Sequence, residues 1–264
     1  MYQIGFIGLG NMASAMLGGM IKSGLVRPEE VTCRDATDAL TAQAAERFGI
    51  HASGSSAELA RESELIALTV KPQYYAGVIA EIAPEVTAQT ILTVAPGKTL
   101  AWLREQFGKD VPIVRIMPNT PALVGEGCTA ACHNELISEE RFAEILQLLG
   151  SFSTPHVLEE SKFDAFVGVS GSSPAYVYMF IEAMADAAVL EGIPRVQAYQ
   201  FAAQAVLGSA KMVLETGKHP GELKDAVCSP GGTTIEGVRV LEEEGFRAAV
   251  MHAVSAAAEK SRIL

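Results

Sequence analysis

Two glycine-rich stretches near opposite ends of this chain have the residue types and spacing to do chemistry. The first reads Ile4-Gly5-Phe6-Ile7-Gly8-Leu9-Gly10-Asn11-Met12-Ala13. Gly8, Gly10 and Ala13 keep the G-x-G-x-x-A spacing: a tight turn, a backbone that can approach phosphates, and a small residue where helix meets strand. Because the stretch follows an apolar run and opens a helical pattern, Gly8 to Met12 suit a dinucleotide pyrophosphate. The second stretch, Ser229-Pro230-Gly231-Gly232-Thr233-Thr234, places amides and hydroxyls just ahead of an amphipathic run. Such a turn suits a small anion. A dinucleotide site with a separate small-acid site outlines a two-substrate redox enzyme.

The sugar end of the first site falls on Val31-Thr32-Cys33-Arg34-Asp35. Asp35 stands about where an acid grips the 2′-hydroxyl of NAD, whereas Arg34 would pair with the 2′-phosphate of NADP. NADP is the favoured reading, because a guanidinium beside a helix cap accounts for both residues and a lone carboxylate leaves Arg34 idle. Two more loops follow strands on the side where ligands bind an open α/β sheet: Val70-Lys71-Pro72 and Met117-Pro118-Asn119-Thr120-Pro121. Proline stiffens both. It aims Lys71, and it holds Asn119 where its amide would bond the ribose or carboxamide of a nicotinamide.

The elements that must position these residues are readable from periodicity. Strand patterns cover Gln3–Ile7, Val31–Arg34, Leu65–Val70, Thr90–Val94, Ile113–Ile116 and Thr129–His133. Helix patterns between them cover Met12–Ser23, Asp38–Phe48, Tyr74–Ile82, Leu100–Phe107 and Glu139–Leu149. Alternation of this kind implies parallel βαβ units in a doubly wound sheet over residues 1–157. From 158 to 264 helix formers dominate. Ala175–Leu190 and Ala198–Leu214 carry only Glu182, Asp186 and Lys211 as charges. A bundle of ~100 residues could hardly cover helices so apolar, and a second subunit is expected to complete its core.

Composition narrows the partners. A formal net charge of −11 with 49% hydrophobic residues describes a well-packed globular chain and argues against nucleic acid or an acidic membrane as partner. No apolar run reaches the ~18 residues of a membrane span. With functional sequence beginning at residue 3 no signal peptide is expected, and the four cysteines lack zinc-ligand spacing. Reduced thiols in a cytoplasmic protein, and no metal site, are the expectation.

Taken together, Gly8–Ala13, Val70-Lys71-Pro72, Met117–Pro121, Ser170-Gly171-Ser172-Ser173-Pro174-Ala175-Tyr176, Lys224-Asp225 and Ser229–Thr234 resemble the pyrroline-5-carboxylate reductases over nearly the whole chain. That family reduces the ring imine of L-1-pyrroline-5-carboxylate to L-proline with NADPH or NADH, the last step of proline synthesis. The resemblance implies a Rossmann domain followed by a helical substrate-binding domain that interlocks with a second subunit, often in decamers of five dimers. It also implies that Ser229, Gly232, Thr233 and Thr234 bind the substrate carboxylate and ring nitrogen. Thr234 would orient the imine, since the motifs offer no histidine or carboxylate as general acid. Cofactor contacts would come from Gly8, Gly10, Asn11, Met12, Arg34, Val70, Lys71, Ala95 and Asn119. Ala95-Pro96-Gly97 departs from the family's usual Ala-Ala-Gly, which puts a contact through the middle amide in doubt. A β-hydroxyacid dehydrogenase would need a lysine within Ser172–Glu191, and there is none.

Overall fold

A computed structural model describes residues 1–263. The chain forms two compact units: Met1–Gly171 with the chain end from Ala257, and Ser172–Ala256. The first opens with β1 (Tyr2–Ile7), α1 (Asn11–Ser23), β2 (Val31–Arg34), α2 (Asp38–Phe48), β3 (His51–Ala52), α3 (Ser56–Glu62) and β4 (Ser63–Leu68). It continues through α4 (Tyr75–Ile82), β5 (Thr90–Thr93), α5 (Leu100–Phe107), β6 (Ile113–Met117), β7 (Gly127–His133), α6 (Glu139–Leu149), β8 (Ser153–Val157) and α7 (Phe163–Phe166). The eight strands lie in the order β3-β2-β1-β4-β5-β6-β7-β8.

Both faces of this sheet are covered, as the apolar strands require. Along β4, Leu65 and Ala67 join one core with α1 and α6, through Met16, Leu17, Ile145 and Leu149. Ile66 and Leu68 point the other way, into a core with Ile79, Ile82 and Leu103. The helix starts are chemically marked: Thr37, Ser55, Thr99 and Ser138 accept from the first-turn amides of α2, α3, α5 and α6.

One strand departs from the parallel expectation. β7 runs antiparallel to β6. Between them lies only the 3-10 turn Thr120–Val124, too short for the crossover that a parallel return needs. Three elements have no counterpart in the sequence reading. β3 is two residues long, α3 is a seven-residue helix, and β8 contains Pro155. Proline is tolerated in β8 because it is an edge strand, where a missing donor leaves no ladder partner unpaired.

The second unit holds α8 (Ser173–Leu190), α9 (Arg195–Thr216), α10 (Pro220–Val227), α11 (Thr233–Glu243) and most of α12 (Phe246–Ser261). Within it only Ala185, Ala198 and Ala202 are buried. Met179, Phe201, Leu190 and Leu214 are 69%, 59%, 87% and 84% exposed. By itself this unit has helices but almost no core.

In the first unit one hydroxyl ties the sheet to its helices. Tyr75 is fully buried, donates to the Leu68 carbonyl at 2.6 Å, and accepts from Thr93 Oγ1 and the Val94 amide, each at 3.2 Å. Burial pushes this phenol up to about 12, so it stays a neutral donor through the physiological range. Tyr75→Phe strands the Leu68 carbonyl and the Val94 amide, a loss of about 1–3 kcal/mol. The urea midpoint should fall with an unchanged slope; an unchanged midpoint would show that the hydroxyl contributes nothing.

Candidate active site

The site begins where β1 ends. Gly8 takes φ +94°, and a Cβ there would lie 2.7 Å from the Val70 amide nitrogen. Both facts require glycine. The turn is fastened from two sides. Its amide donates to the Arg34 carbonyl at 2.9 Å, and its carbonyl accepts from Thr69 Oγ1 at 2.6 Å. Gly10 then caps α1 without any side-chain acceptor, and a Cβ added to it would meet no atom within 4 Å. The first amides of α1, at Asn11 and Met12, thus lack the hydroxyl cap that closes α2, α3, α5 and α6. An open helix start of this kind is suited to phosphate.

A cavity of about 550 Å³ lies over this turn, lined by Gly8, Gly10, Arg34, Asp35, Val70 and Lys71, among others. It sits between the ends of β1 and β4, where the strand order reverses, the usual crevice for a ligand in such a sheet. A larger groove of about 810 Å³, lined mostly by residues 100–111 and 133–136, opens at the amino end of β6, away from that crevice. There Arg104 is already paired with Asp110 at 2.6 Å.

The sugar-end residues are held in place by the fold. Asp35 accepts from the Leu9 amide at 2.6 Å and from the Ala36 amide at 2.7 Å, while its own amide donates to Thr41 Oγ1. Arg34 donates to Asp38 at 2.6 Å and to the Ser53 carbonyl at 3.4 Å. Lys71 is exposed and opens the turn Pro72–Tyr74. Glu81, on the same cavity wall, accepts from the Ser56 amide at 3.0 Å.

The structure does not bring every candidate to this cavity. Ala95 is buried against the core beneath it, so only its backbone is available to a ligand. Asn119 turns inward. Its amide nitrogen donates to the carbonyl and the hydroxyl of Ser170, both at 3.1 Å, and its carbonyl accepts from Cys128 N at 2.9 Å. Both amide protons are committed. The side chain ties the Met117–Pro121 loop to the π-helical turn Val167–Gly171, and it is not free to reach a nicotinamide as the sequence reading expected. Beside that loop, Arg115 on β6 is buried, ion-paired to Glu160 at 2.7 Å, and stacked on Phe163. Burial pushes the neighbouring Cys132 thiol up to about 12, which keeps it unreactive. Thr69, Tyr74 and Glu81 also line the cavity, and the sequence reading does not single them out. The one hydroxyl within the apolar run 65–70 is the visible signal for Thr69.

In the helical unit, the Ser229–Gly232 turn closes with the Gly232 amide donating to the Ser229 carbonyl at 3.0 Å. Gly231 takes φ +66°, and Gly232 caps α11 with no side-chain acceptor. A Cβ on Gly232 would lie 2.3 Å from Ser229 Oγ. Ser229, Thr233 and Thr234 are exposed, so their hydroxyls and the first α11 amides surround one open helix start. Lys224 pairs with Asp225 in the preceding α10, and that carboxylate raises the lysine above its ordinary value. Among the described residues no cluster could hold a metal ion, and no helix is long and apolar enough to cross a membrane.

Comparison with known proteins adds to this geometry. Residues 160–264 match the pyrroline-5-carboxylate reductase dimerisation family, and residues 3–97 match the coenzyme F420-dependent NADP oxidoreductase family. The chain is 52% identical to the pyrroline-5-carboxylate reductase of Escherichia coli over 99% of its own length and 98% of that protein's. It is 42% identical to the one from Methanosarcina acetivorans, covering 99% and 97% of the two chains. Among solved structures, Plasmodium falciparum pyrroline carboxylate reductase with NADP bound superposes with a TM-score of 0.90 at 32% identity, over 99% of this chain and 97% of that one. Identity at this level over full length carries more than a shared fold, and the chain belongs to the pyrroline-5-carboxylate reductase family.

Proposed function

We propose that this chain reduces L-1-pyrroline-5-carboxylate to L-proline at the expense of NADPH or NADH, the final step of proline biosynthesis. The observation that carries the reading is the Ser229–Thr234 turn. An uncapped helix start flanked by three exposed hydroxyls matches a small cyclic acid: amides for the carboxylate, a hydroxyl for the ring nitrogen. Gly8, Gly10, Asn11, Met12, Arg34, Val70 and Lys71 would hold the dinucleotide, with Ala95 contributing through its backbone. Asn119 contributes by fixing its loop. The bound cofactor supplies the hydride that reduces the imine carbon. The protein's part is alignment and electrostatics. Thr234 Oγ orients the ring nitrogen. A threonine hydroxyl is too weak an acid to protonate it, so the substrate binds as the iminium, its proton taken from water.

Consumption of NADPH on adding the cyclic imine, with equivalent proline formed, is the test; binding of both without turnover would leave only a binding module. Thr234→Ala should lower kcat with the KM for NADPH unchanged, by about 5- to 150-fold for a loss of ~1–3 kcal/mol in the transition state. Unchanged kcat and kcat/KM for the imine would remove Thr234 from the mechanism.

The same reading makes the chain a homodimer, with five dimers to a decamer, acting in the cytoplasm without nucleic-acid or membrane partners. The apolar exposure of α8 and α9 supports the dimer, since a soluble monomer rarely shows an apolar patch beyond ~300–600 Å². The free cysteines and the net charge of −11 support the rest. Light scattering on dilute protein should show no stable monomer. An active species at the 27.9 kDa of one chain would contradict the interlocked helical half.

A further inference from the structure

The cavity over the Gly8 turn is electrically balanced, which is unexpected for a pocket that must hold an extra phosphate. Four charged residues line it: Arg34 and Lys71 against Asp35 and Glu81. A fifth, Asp38, stands just beyond and holds Arg34 at 2.6 Å. The Arg34 side chain is 19% exposed and Asp38 is 92% exposed, so the guanidinium is tucked against the protein with the carboxylate on its open side. A 2′-phosphate must therefore compete with Asp38 for the group that would read it. Asp35 is fixed more firmly, since each of its carboxylate oxygens takes a backbone amide, Leu9 on one and Ala36 on the other. It cannot swing away from an incoming phosphate, and its remaining lone pairs suit the hydroxyls of an unphosphorylated ribose.

We propose that Asp38 and Asp35 together set the cofactor preference of this chain, holding it close to parity between the phosphorylated and the unphosphorylated dinucleotide. Asp38 is a positioning residue that acts through Arg34. Asp35 discriminates by presenting a fixed negative charge to the 2′ position. The inference rests on reading this cavity as the adenosine end of the dinucleotide site, as argued above.

The experiment is calorimetric binding of two fragments that differ only in the 2′-phosphate, adenosine 2′,5′-bisphosphate and adenosine 5′-monophosphate, to the full-length protein. The wild type should bind them within about tenfold of each other, a gap of ~1.4 kcal/mol or less. Asp38→Asn is an exposed change at the first residue of α2, so the fold should hold. It should tighten the bisphosphate about two- to fivefold, the scale of one exposed ion pair, and leave the monophosphate within twofold. Asp38→Glu should restore the wild-type ratio, which a merely structural role would not do. Asp35→Asn removes the charge and keeps an acceptor for only one of the Leu9 and Ala36 amides, so its fold is checked by circular dichroism; it should move the ratio in the same direction by weakening the monophosphate as well. Binding of both fragments with a ratio that neither variant alters, or a wild type preferring the bisphosphate more than a hundredfold, overturns the inference alone. If neither fragment binds the wild type, the adenosine reading fails and the inference with it.

Discussion

The contact on which the crevice at the carboxyl ends of β1 and β4 depends is the approach of the Gly8 turn to the chain leaving β4. A single methyl at Gly8 would collide with the Val70 amide at 2.7 Å, so the two backbones touch with no side chain between them. Thr69 uses the proximity: its amide donates to the Ile7 carbonyl at 2.9 Å and its hydroxyl to the Gly8 carbonyl at 2.6 Å. The β1–β4 ladder is in this way extended one step past its last strand pair, Ile7 with Leu68. α1 then starts immediately after a fixed turn, and its open amides have a defined direction. Lys71 and Tyr74 leave the same fastening from the other side, which is why they share a cavity wall with Arg34 and Asp35.

The two units solve different physical problems. The sheet unit satisfies nearly all of its own groups: both faces are packed, four of its helix starts carry hydroxyl caps, and its cation at mid-sheet, Arg115, has Glu160 and a ring face as partners, while Arg115 Nε and Thr32 Oγ1 are buried without a partner. Removing Glu160 would leave a buried guanidinium without its counter-charge, a change that typically costs ~3–5 kcal/mol. The helical unit does the opposite. It keeps alanine at its few buried positions and spreads its large apolar side chains over its surface. Such a unit makes sense when its core is shared with another copy, and its stability is then tied to protomer concentration.

The fold was legible wherever one period dominated over several turns. α2, α5 and α6 begin and end where their patterns do, because each has a hydroxyl cap ahead of it and glycine behind it. α3 was not legible: seven residues are too few for periodicity to show, although Ser55 three residues before Glu58 was a cap signature. The direction of β7 was hidden too, since strand composition says nothing about orientation and only the brevity of the preceding turn decides it. At the site, local motifs gave the glycine turn and the Lys71 loop. They could not give the inward turn of Asn119, because its partners Cys128 and Ser170 are brought to it by tertiary structure alone. The same is true of Asp35, whose hold on Leu9 spans the gap between two strands.

The dinucleotide site proposed at the start of α1 depends on the Thr69 latch that fixes the Gly8 turn ahead of it. Thr69→Val keeps the shape of the side chain and deletes the hydroxyl that reaches the Gly8 carbonyl. Titration calorimetry of NADPH into this variant tests the claim directly, with circular dichroism confirming that the sheet is intact. The account predicts a folded protein whose Kd for NADPH rises about five- to tenfold, the equivalent of one hydrogen bond of ~1–1.4 kcal/mol. A folded variant with the wild-type Kd would contradict it.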